Sequence, residues 1–182
     1  SLRRTPRDTP IITAKHTADV FQHLRFRSVS EIAWDQTKQV ETNAGAVTVS
    51  AFKLRHWGAR MRRDLHRTYN SYVLERNGVR VCFAGDTART PAQVLGSRGP
   101  IDLMFVPISA YNPWINSHCT PEEAIEMADE AGAKVLLPIH HETFMLSWEP
   151  MDEPIRRFQA ALERTPERIA LTRIGETFRL PG

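Results

Sequence analysis

The sequence has 182 residues, 41% of them hydrophobic, which is typical of one globular domain with a buried core. It contains no run of about 18 apolar residues, and its polar, basic start lacks the apolar centre of a secretion signal, so neither a membrane span nor export is predicted. The net charge is a modest +3, and two cysteines in dissimilar settings give no disulfide framework. We therefore expect a cytoplasmic protein, with peripheral attachment to a membrane as the alternative.

Short strand-like runs alternate with a few helical ones, which indicates an α/β fold. Strands are predicted at 47–52, 69–75, 79–84, 102–107 and 134–139. The dipeptide Asn77-Gly78 predicts a tight hairpin between the second and the third of these.

Thr120, Pro121 and Glu123 together form a strong helix start, with a capping hydroxyl, a proline at the first helical position and a carboxylate that can reach back. They predict a helix over 121–131, closed by Gly132. A second helix is predicted over about 151–164. The segments 168–173 and 176–180 are predicted to form a final hairpin around Gly175.

Histidine and aspartate side chains stand close to the ends of the predicted elements. His56, Asp86 and His140 each come a few residues after a strand, and His118 lies just before the first helix. Imidazole nitrogens and carboxylate oxygens are ligands that zinc, iron and manganese sites use. A lone histidine at a strand end is more often a surface residue, so the set matters more than its members. Together the four predict a metal site at one edge of the sheet.

Five segments carry a specific resemblance to a known family. They are RHWGAR at 55–60, FAGDT at 83–87, VPISAYNP at 106–113, HCTPEEA at 118–124 and IHHETF at 139–144. In these segments the chain resembles the metallo-β-lactamase superfamily and, within it, the branch of N-acyl-phosphatidylethanolamine-hydrolysing phospholipase D and its bacterial relatives. The order and approximate spacing agree from about Thr9 to the C-terminus.

The resemblance implies a four-layer αββα sandwich, of which this chain would supply the C-terminal half. It also implies a metal-dependent hydrolase in which two divalent ions activate a water molecule against a phosphodiester or a related phosphorylated or ester substrate. Zinc is the expected metal, with iron and manganese as alternatives. The substrate would be a small molecule or would resemble a phospholipid.

By the same resemblance, His56 would bind one ion and His140 the other, and Asp86 would bridge both, which makes it catalytic as well as a ligand. His118 would be catalytic without binding metal, by stabilising charge on phosphoryl oxygens or by protonating the leaving group. Three further residues are expected to contact the substrate: Tyr111, His141 and Arg60.

The HxHxDH motif, which supplies the remaining ligands in this family, is absent from the sequence. The resemblance places it before Ser1, so residues 1–182 are expected to form a single half-domain that lacks the motif-bearing N-terminal half. An N-terminal half or a second chain would complete the fold. The chain alone is expected to bind little or no metal and to be inactive.

A metal-free binding module is the alternative function. A cluster of arginines with two aromatic neighbours could bind an anionic surface or a nucleic acid through phosphate contacts. The cluster consists of Arg55, Arg60, Arg62, Arg63 and Arg67, with Trp57 and Tyr69. Asp86, His118 and His140 favour the hydrolase, because phosphate binding alone does not require them. Nucleic acid is therefore the less favoured partner.

Overall fold

A computed structural model describes residues 2–58, 64–171, 173 and 175–180 of the chain. Within those ranges the regular elements are eight strands and two α-helices, joined by loops and short 3-10 helices. In chain order they are β1 (Ile11–Ala14), β2 (Val29–Ile32), β3 (Thr37–Thr42), β4 (Gly45–Phe52), β5 (Ser71–Arg76), β6 (Val79–Phe83), β7 (Ile101–Pro107), α1 (Pro121–Glu130), β8 (Ala133–Ile139) and α2 (Glu153–Ala161).

Six strands form one mixed sheet in the order β3-β4-β5-β6-β7-β8. Strands β3 to β6 are antiparallel neighbours, whereas β6, β7 and β8 are parallel. Strands β4, β6, β7 and β8 consequently run in the same direction, and their carboxyl ends lie at one edge of the sheet. Strands β1 and β2 pair in a separate parallel sheet. The α/β class predicted from the sequence is confirmed.

The helices cover one face of the large sheet and bury its core. A row of paired side chains, one from each of the strands β5 to β8, crosses this face. The row consists of Val73, Cys82, Met104 and Leu136, none more than 2% exposed. Helix α1 packs against β7 and β8, and α2 packs against α1, where Phe158 is fully buried. Burying each large apolar side chain contributes roughly 1.5–3 kcal/mol, so this layer fixes the strand ends in place.

Helix α1 begins as the sequence predicts. The Thr120 hydroxyl accepts a hydrogen bond from the Glu123 N–H at 3.2 Å, and the Glu123 carboxylate accepts one from the Thr120 N–H at 2.9 Å. The helix ends at Glu130, one residue before the predicted end. Helix α2 lies inside the predicted range 151–164. Among the residues that the structure describes, no helix is long and apolar enough to cross a bilayer.

The opposite face of the sheet is also apolar, but the described residues cover it poorly. One paired row on this face consists of Leu74, Val81, Leu103 and Val135, of which Leu103 is buried and the other three are half-buried. Phe83 is 38% exposed, and its ring stacks on Phe105 with the centroids 4.1 Å apart. A sheet face of this composition is normally covered by a second layer of structure.

The predicted hairpin at 168–173 and 176–180 is wrong for the residues described there, because none of them lies in a strand. Arg168 ends a short 3-10 helix, and Ile169 forms an isolated parallel bridge with Leu136 of β8. Ile169 and Ala170 therefore contact the free edge of β8, where the Ala170 N–H donates to the Leu136 carbonyl oxygen at 2.8 Å.

The sequence did not predict β1, β2 and β3. The first two have only four residues each and pair only with each other. The third lies at the edge of the large sheet, and Val40 is its one apolar residue. None of the three shows the apolar alternation that indicates a half-buried strand.

Candidate metal centre

The predicted metal and catalytic residues lie together at the edge where the four co-directional strands end. His56 follows β4, Asp86 follows β6, and His140 comes directly after β8. His118 lies in the loop that leads from β7 into α1. The shared direction of these strands brings the loops that carry the four residues to one edge of the sheet, although the residues are far apart in the sequence.

The distances within the cluster are those of a potential ligand set. One ligand atom from each of His56, Asp86 and His118 lies within 4.8 Å of the others. The His140 Nδ1 atom is 3.7 Å from the Asp86 Oδ1 atom. The ring of His118 lies parallel to that of His140, with 5.5 Å between centroids, and nearly perpendicular to that of His56 at 5.2 Å. His118 is therefore as close to the carboxylate as a ligand would be.

Three buried imidazole nitrogens in the cluster have no hydrogen-bond partner among the residues that the structure describes. They are His56 Nε2, His118 Nδ1 and His140 Nε2. A buried polar atom without a partner is costly in free energy, so several at one point call for an explanation. A nitrogen lone pair is the donor that zinc and similar ions accept, and the residues therefore fit a divalent metal.

A backbone contact fixes which nitrogen of His56 carries the lone pair. The His56 Nδ1 atom lies 2.9 Å from the Trp57 carbonyl oxygen, and a carbonyl only accepts. Nδ1 must then be the protonated nitrogen, which leaves the lone pair on the unpartnered Nε2. A second contact that orients a ligand histidine in this way is typical of metal sites.

The environment of His118 favours its neutral form. Burial lowers the pKa of His118, and the neighbouring His56 and His140 act in the same direction, while Asp86 partly opposes them. Neutral imidazole is the form that binds metal. The backbone of His140 lies in the left-handed region, with a φ of +62°, as does that of six other non-glycine residues among those described.

The three predicted substrate contacts lie in different surroundings. Tyr111 is buried, its hydroxyl donates to the Glu153 carboxylate at 2.8 Å, and Arg157 lies over its ring. Burial raises the pKa of Tyr111 above its ordinary value, and Glu153 raises it further. The hydroxyl is thus engaged by α2. His141 lines a cavity beside His140, and Arg60 lies outside the described residues. All three assignments stay predictions.

Two cavities flank the cluster. One, of about 400 Å³, lies between the cluster and the small sheet and is lined by Thr17, Phe21, Trp57 and Tyr69. The other, of about 610 Å³, lies beside α2 and is lined by His140, His141, Ile155, Gln159 and Arg173. Phe21 and Gln159 could not be predicted from the sequence, because nothing near them in the chain marks them as site residues.

The basic segment of the alternative function is only partly described, because Arg60, Arg62 and Arg63 lie outside the described residues. Arg67 forms ion pairs with Asp19 and with Asp64. These carboxylates engage the Arg67 guanidinium, which weakens the case for a phosphate contact at that position.

Comparison with known proteins identifies the family. A family model described as a β-lactamase superfamily domain matches residues 1–141. The chain belongs to the β-lactamase superfamily. An uncharacterized protein of Mycobacterium tuberculosis from the same comparisons is 33% identical over 149 residues, which are 79% of this chain and 38% of that protein.

The chain is also similar to a nematode enzyme and to a solved archaeal structure. The N-acyl-phosphatidylethanolamine-hydrolyzing phospholipase D 1 of Caenorhabditis elegans is 29% identical over 124 residues, which are 64% of this chain and 35% of that enzyme. The solved structure of a metallo hydrolase from Ignicoccus hospitalis shares the fold, with a TM-score of 0.69 and 15% identity over 92% of this chain and 67% of that chain. The chain thus spans less than half the length of the mycobacterial protein and of the nematode enzyme.

Proposed function

We propose that the chain carries part of the active centre of a metal-dependent hydrolase that acts on a phosphodiester or on a related phosphorylated or ester substrate. The observation that carries the proposal is that three histidines lie beside the Asp86 carboxylate and that each has one buried imidazole nitrogen without a hydrogen-bond partner among the described residues. Nitrogen donors beside a carboxylate match the preferences of zinc, and iron and manganese accept the same donors. Membership of the β-lactamase superfamily supports the same conclusion.

Each side chain has its own task in this proposal. His56 and His140 would hold one ion each, and Asp86 would bridge the two. When bound, two divalent ions supply an activated water nucleophile and offset the charge of a phosphoryl group. His118 would donate a proton to the leaving group or a hydrogen bond to a phosphoryl oxygen.

We propose that further ligands come from outside residues 1–182. Two zinc ions with tetrahedral coordination need about eight ligand positions, shared between protein and water. Even with His118 counted, the cluster offers only one carboxylate and three imidazoles. The HxHxDH motif that would add ligands is absent from the sequence. A motif-bearing N-terminal half or a second chain would supply the ligands and could also cover the open face of the sheet.

A phospholipid-like substrate is the finer part of the proposal. A small cavity lined by His140 and His141 is also lined by Phe144 and Leu146. Phe144 is 73% exposed, and Trp148 nearby in the chain is 78% exposed. Exposed apolar side chains of this size beside a polar site are typical of a surface that binds an apolar group. The polar headgroup would reach the histidines while acyl chains contact Phe144 and Leu146.

Hydrolysis assays test this proposal. A form of the protein completed with an HxHxDH-bearing half and loaded with Zn²⁺ is expected to hydrolyse bis-p-nitrophenyl phosphate, and EDTA should abolish the activity. Phe144→Ser should lower kcat/KM for a long-chain N-acyl-phosphatidylethanolamine by about tenfold, since removal of apolar surface from a binding pocket costs roughly 1–3 kcal/mol. It should leave bis-p-nitrophenyl phosphate hydrolysis unchanged.

Val94→Ser is the matched control, because Val94 is also an exposed apolar residue but lies in a 3-10 helix away from the cluster. The lipid proposal fails if both variants hydrolyse the long-chain substrate as well as the parent protein. The hydrolase proposal itself fails if the completed, zinc-loaded protein shows no EDTA-sensitive hydrolysis of any phosphodiester or ester offered.

A further inference from the structure

Three of the four loops that form the metal cluster meet at one buried residue, Thr87. Its side chain is completely shielded from solvent, which is unusual for a hydroxyl-bearing residue. It directly follows Asp86 in the chain. Its neighbours in space are Arg55, which directly precedes His56, and Cys119, which directly follows His118.

The Thr87 hydroxyl holds the His56 loop. It accepts a hydrogen bond from the Arg55 N–H at 3.0 Å and has the Ala88 carbonyl oxygen at 2.8 Å as an acceptor for its own proton. The Ala88 N–H in turn donates to the Arg55 carbonyl oxygen at 2.8 Å. Arg55 and Ala88 thereby form a single antiparallel bridge that joins the loop after β4 to the loop after β6.

The Thr87 main chain holds the His118 loop. The Cys119 N–H donates to the Thr87 carbonyl oxygen at 2.8 Å. Within the part of the chain that the structure describes, these hydrogen bonds tie His56 and His118 to the aspartate between them through residues that directly adjoin each of the three.

A valine of the same shape would fill the space that Thr87 occupies, so packing alone does not require the hydroxyl. Without it, the Arg55 N–H would lose its acceptor in a partly buried place, which costs up to about 1–3 kcal/mol unless the loop moves. If the loop moves, His56 moves with it. Ligand side chains must be held to within about 0.5 Å for a metal site to form properly.

We propose that Thr87 is the positioning residue of the metal centre, and that its hydroxyl sets the separation between His56 and Asp86. The inference rests on the proposed function, because it presumes that the cluster binds metal. Loss of the hydroxyl should weaken metal binding more than it weakens the fold.

Zinc titration of four variants tests the inference. The variants are made in the protein completed with an HxHxDH-bearing half, in which the parent sequence is expected to bind Zn²⁺. Thr87→Val and Thr87→Ala, which lack the hydroxyl, should bind Zn²⁺ about 10–100-fold more weakly, the usual effect of losing a group that orients a ligand. Thr87→Ser keeps the hydroxyl and should restore near-parental affinity. Ser50→Ala removes another buried, hydrogen-bonded hydroxyl from β4 and should leave affinity unchanged.

The Co²⁺-loaded proteins give a second readout, because the ligand-field absorption bands report ligand geometry. These bands should change in Thr87→Val and in Thr87→Ala but not in Thr87→Ser or Ser50→Ala. If Thr87→Val does not fold, the Ser and Ala variants still isolate the hydroxyl, since both lack the methyl group. Equal zinc affinity in all Thr87 variants would overturn the inference alone, whereas a parent protein that binds no metal would overturn the proposed function.

Discussion

Potential ligand atoms of Asp86 and His118 lie within 4.8 Å of each other, yet the surroundings of the two side chains differ. The Asp86 side chain is 41% exposed and faces the imidazoles of the cluster, whereas His118 is buried between the rings of His56 and His140. A carboxylate open on this side can bridge two ions, and an imidazole packed between two others can meet a bound phosphoryl group. Substitution of Asp86 and substitution of His118 should therefore have different effects on metal content and on turnover.

If the proposed function is right, Asp86→Ala in the completed protein should abolish hydrolysis and lower the metal content, because the proposed common ligand of both ions is removed. His118→Ala should keep the metal and lower the turnover by about 10²–10⁴-fold, the usual scale for a positioned acid or charge-stabilising donor. Rates on bis-p-nitrophenyl phosphate, paired with elemental analysis of the same samples, separate the two effects.

Either of two outcomes for His118→Ala would contradict this assignment. Full turnover at unchanged metal content would reduce His118 to a loop residue before the helix cap. A loss of metal equal to that of Asp86→Ala would make it a ligand, which its distance from His56 and Asp86 would also allow.

At the scale of elements, the sequence predicted those features that depend on residues close together in the chain. The turn at Asn77-Gly78 and the cap at Thr120 act over a few residues, and both are found where they were expected. The final segment depends instead on the free edge of β8, which no nearby residue announces, so its predicted hairpin was wrong.

In the candidate metal centre, too, local motifs could be predicted and long-range contacts could not. The positions of His56, Asp86 and His140 could be predicted because each stands in a recognisable motif just after a strand. The role of Thr87 could not, because the main-chain partner of its hydroxyl lies 32 residues away in the sequence. The contact exists only once β4 and β6 are placed in the same sheet.

The Glu149 carboxylate contacts the loop after β7, and this contact makes part of the folding stability depend on pH. Glu149 is buried, and its carboxylate accepts hydrogen bonds from the Ala110 N–H at 2.6 Å, the Asn112 N–H at 3.2 Å and the Ser147 hydroxyl at 2.7 Å. Burial by itself raises the pKa of Glu149, but these hydrogen bonds outweigh it, and the pKa lies below its ordinary value of 4.5. The carboxylate therefore clamps the loop after β7 to the segment before α2.

Because the folded pKa is depressed, this contribution is present above about pH 4.5 and is lost as the pH falls through the folded value. Glu149→Gln should lower the free energy of unfolding at pH 7 by about 1–3 kcal/mol, and the difference should shrink under acid conditions. Urea unfolding at pH 7 and near pH 3.5 measures both. Glu163→Gln, at an exposed position after α2, is the control and should change little at either pH.

A difference between Glu149→Gln and the parent that stays constant across the two pH values would show that the charge of Glu149 is not what stabilises the loop. A difference that grows toward low pH would have the wrong sign for a carboxylate with a depressed pKa.

At the scale of the whole molecule, the open sheet face and the metal cluster both lack part of what would complete them. The helices bury one face of the sheet, while the other exposes part of Phe83 and of its apolar neighbours. The cluster at the sheet edge offers three imidazoles and one carboxylate, fewer donors than two ions take. A second layer that carries the HxHxDH motif would complete both.

Metal content decides whether these residues are one part of a dinuclear centre. Elemental analysis should be made of the 182-residue chain and of the same chain completed by an HxHxDH-bearing half, both purified in the presence of Zn²⁺ and then dialysed. We expect little or no metal in the first sample and about two ions per site in the second. Two ions bound stoichiometrically by the 182-residue chain alone, or none bound by the completed protein, would contradict a centre shared between two halves.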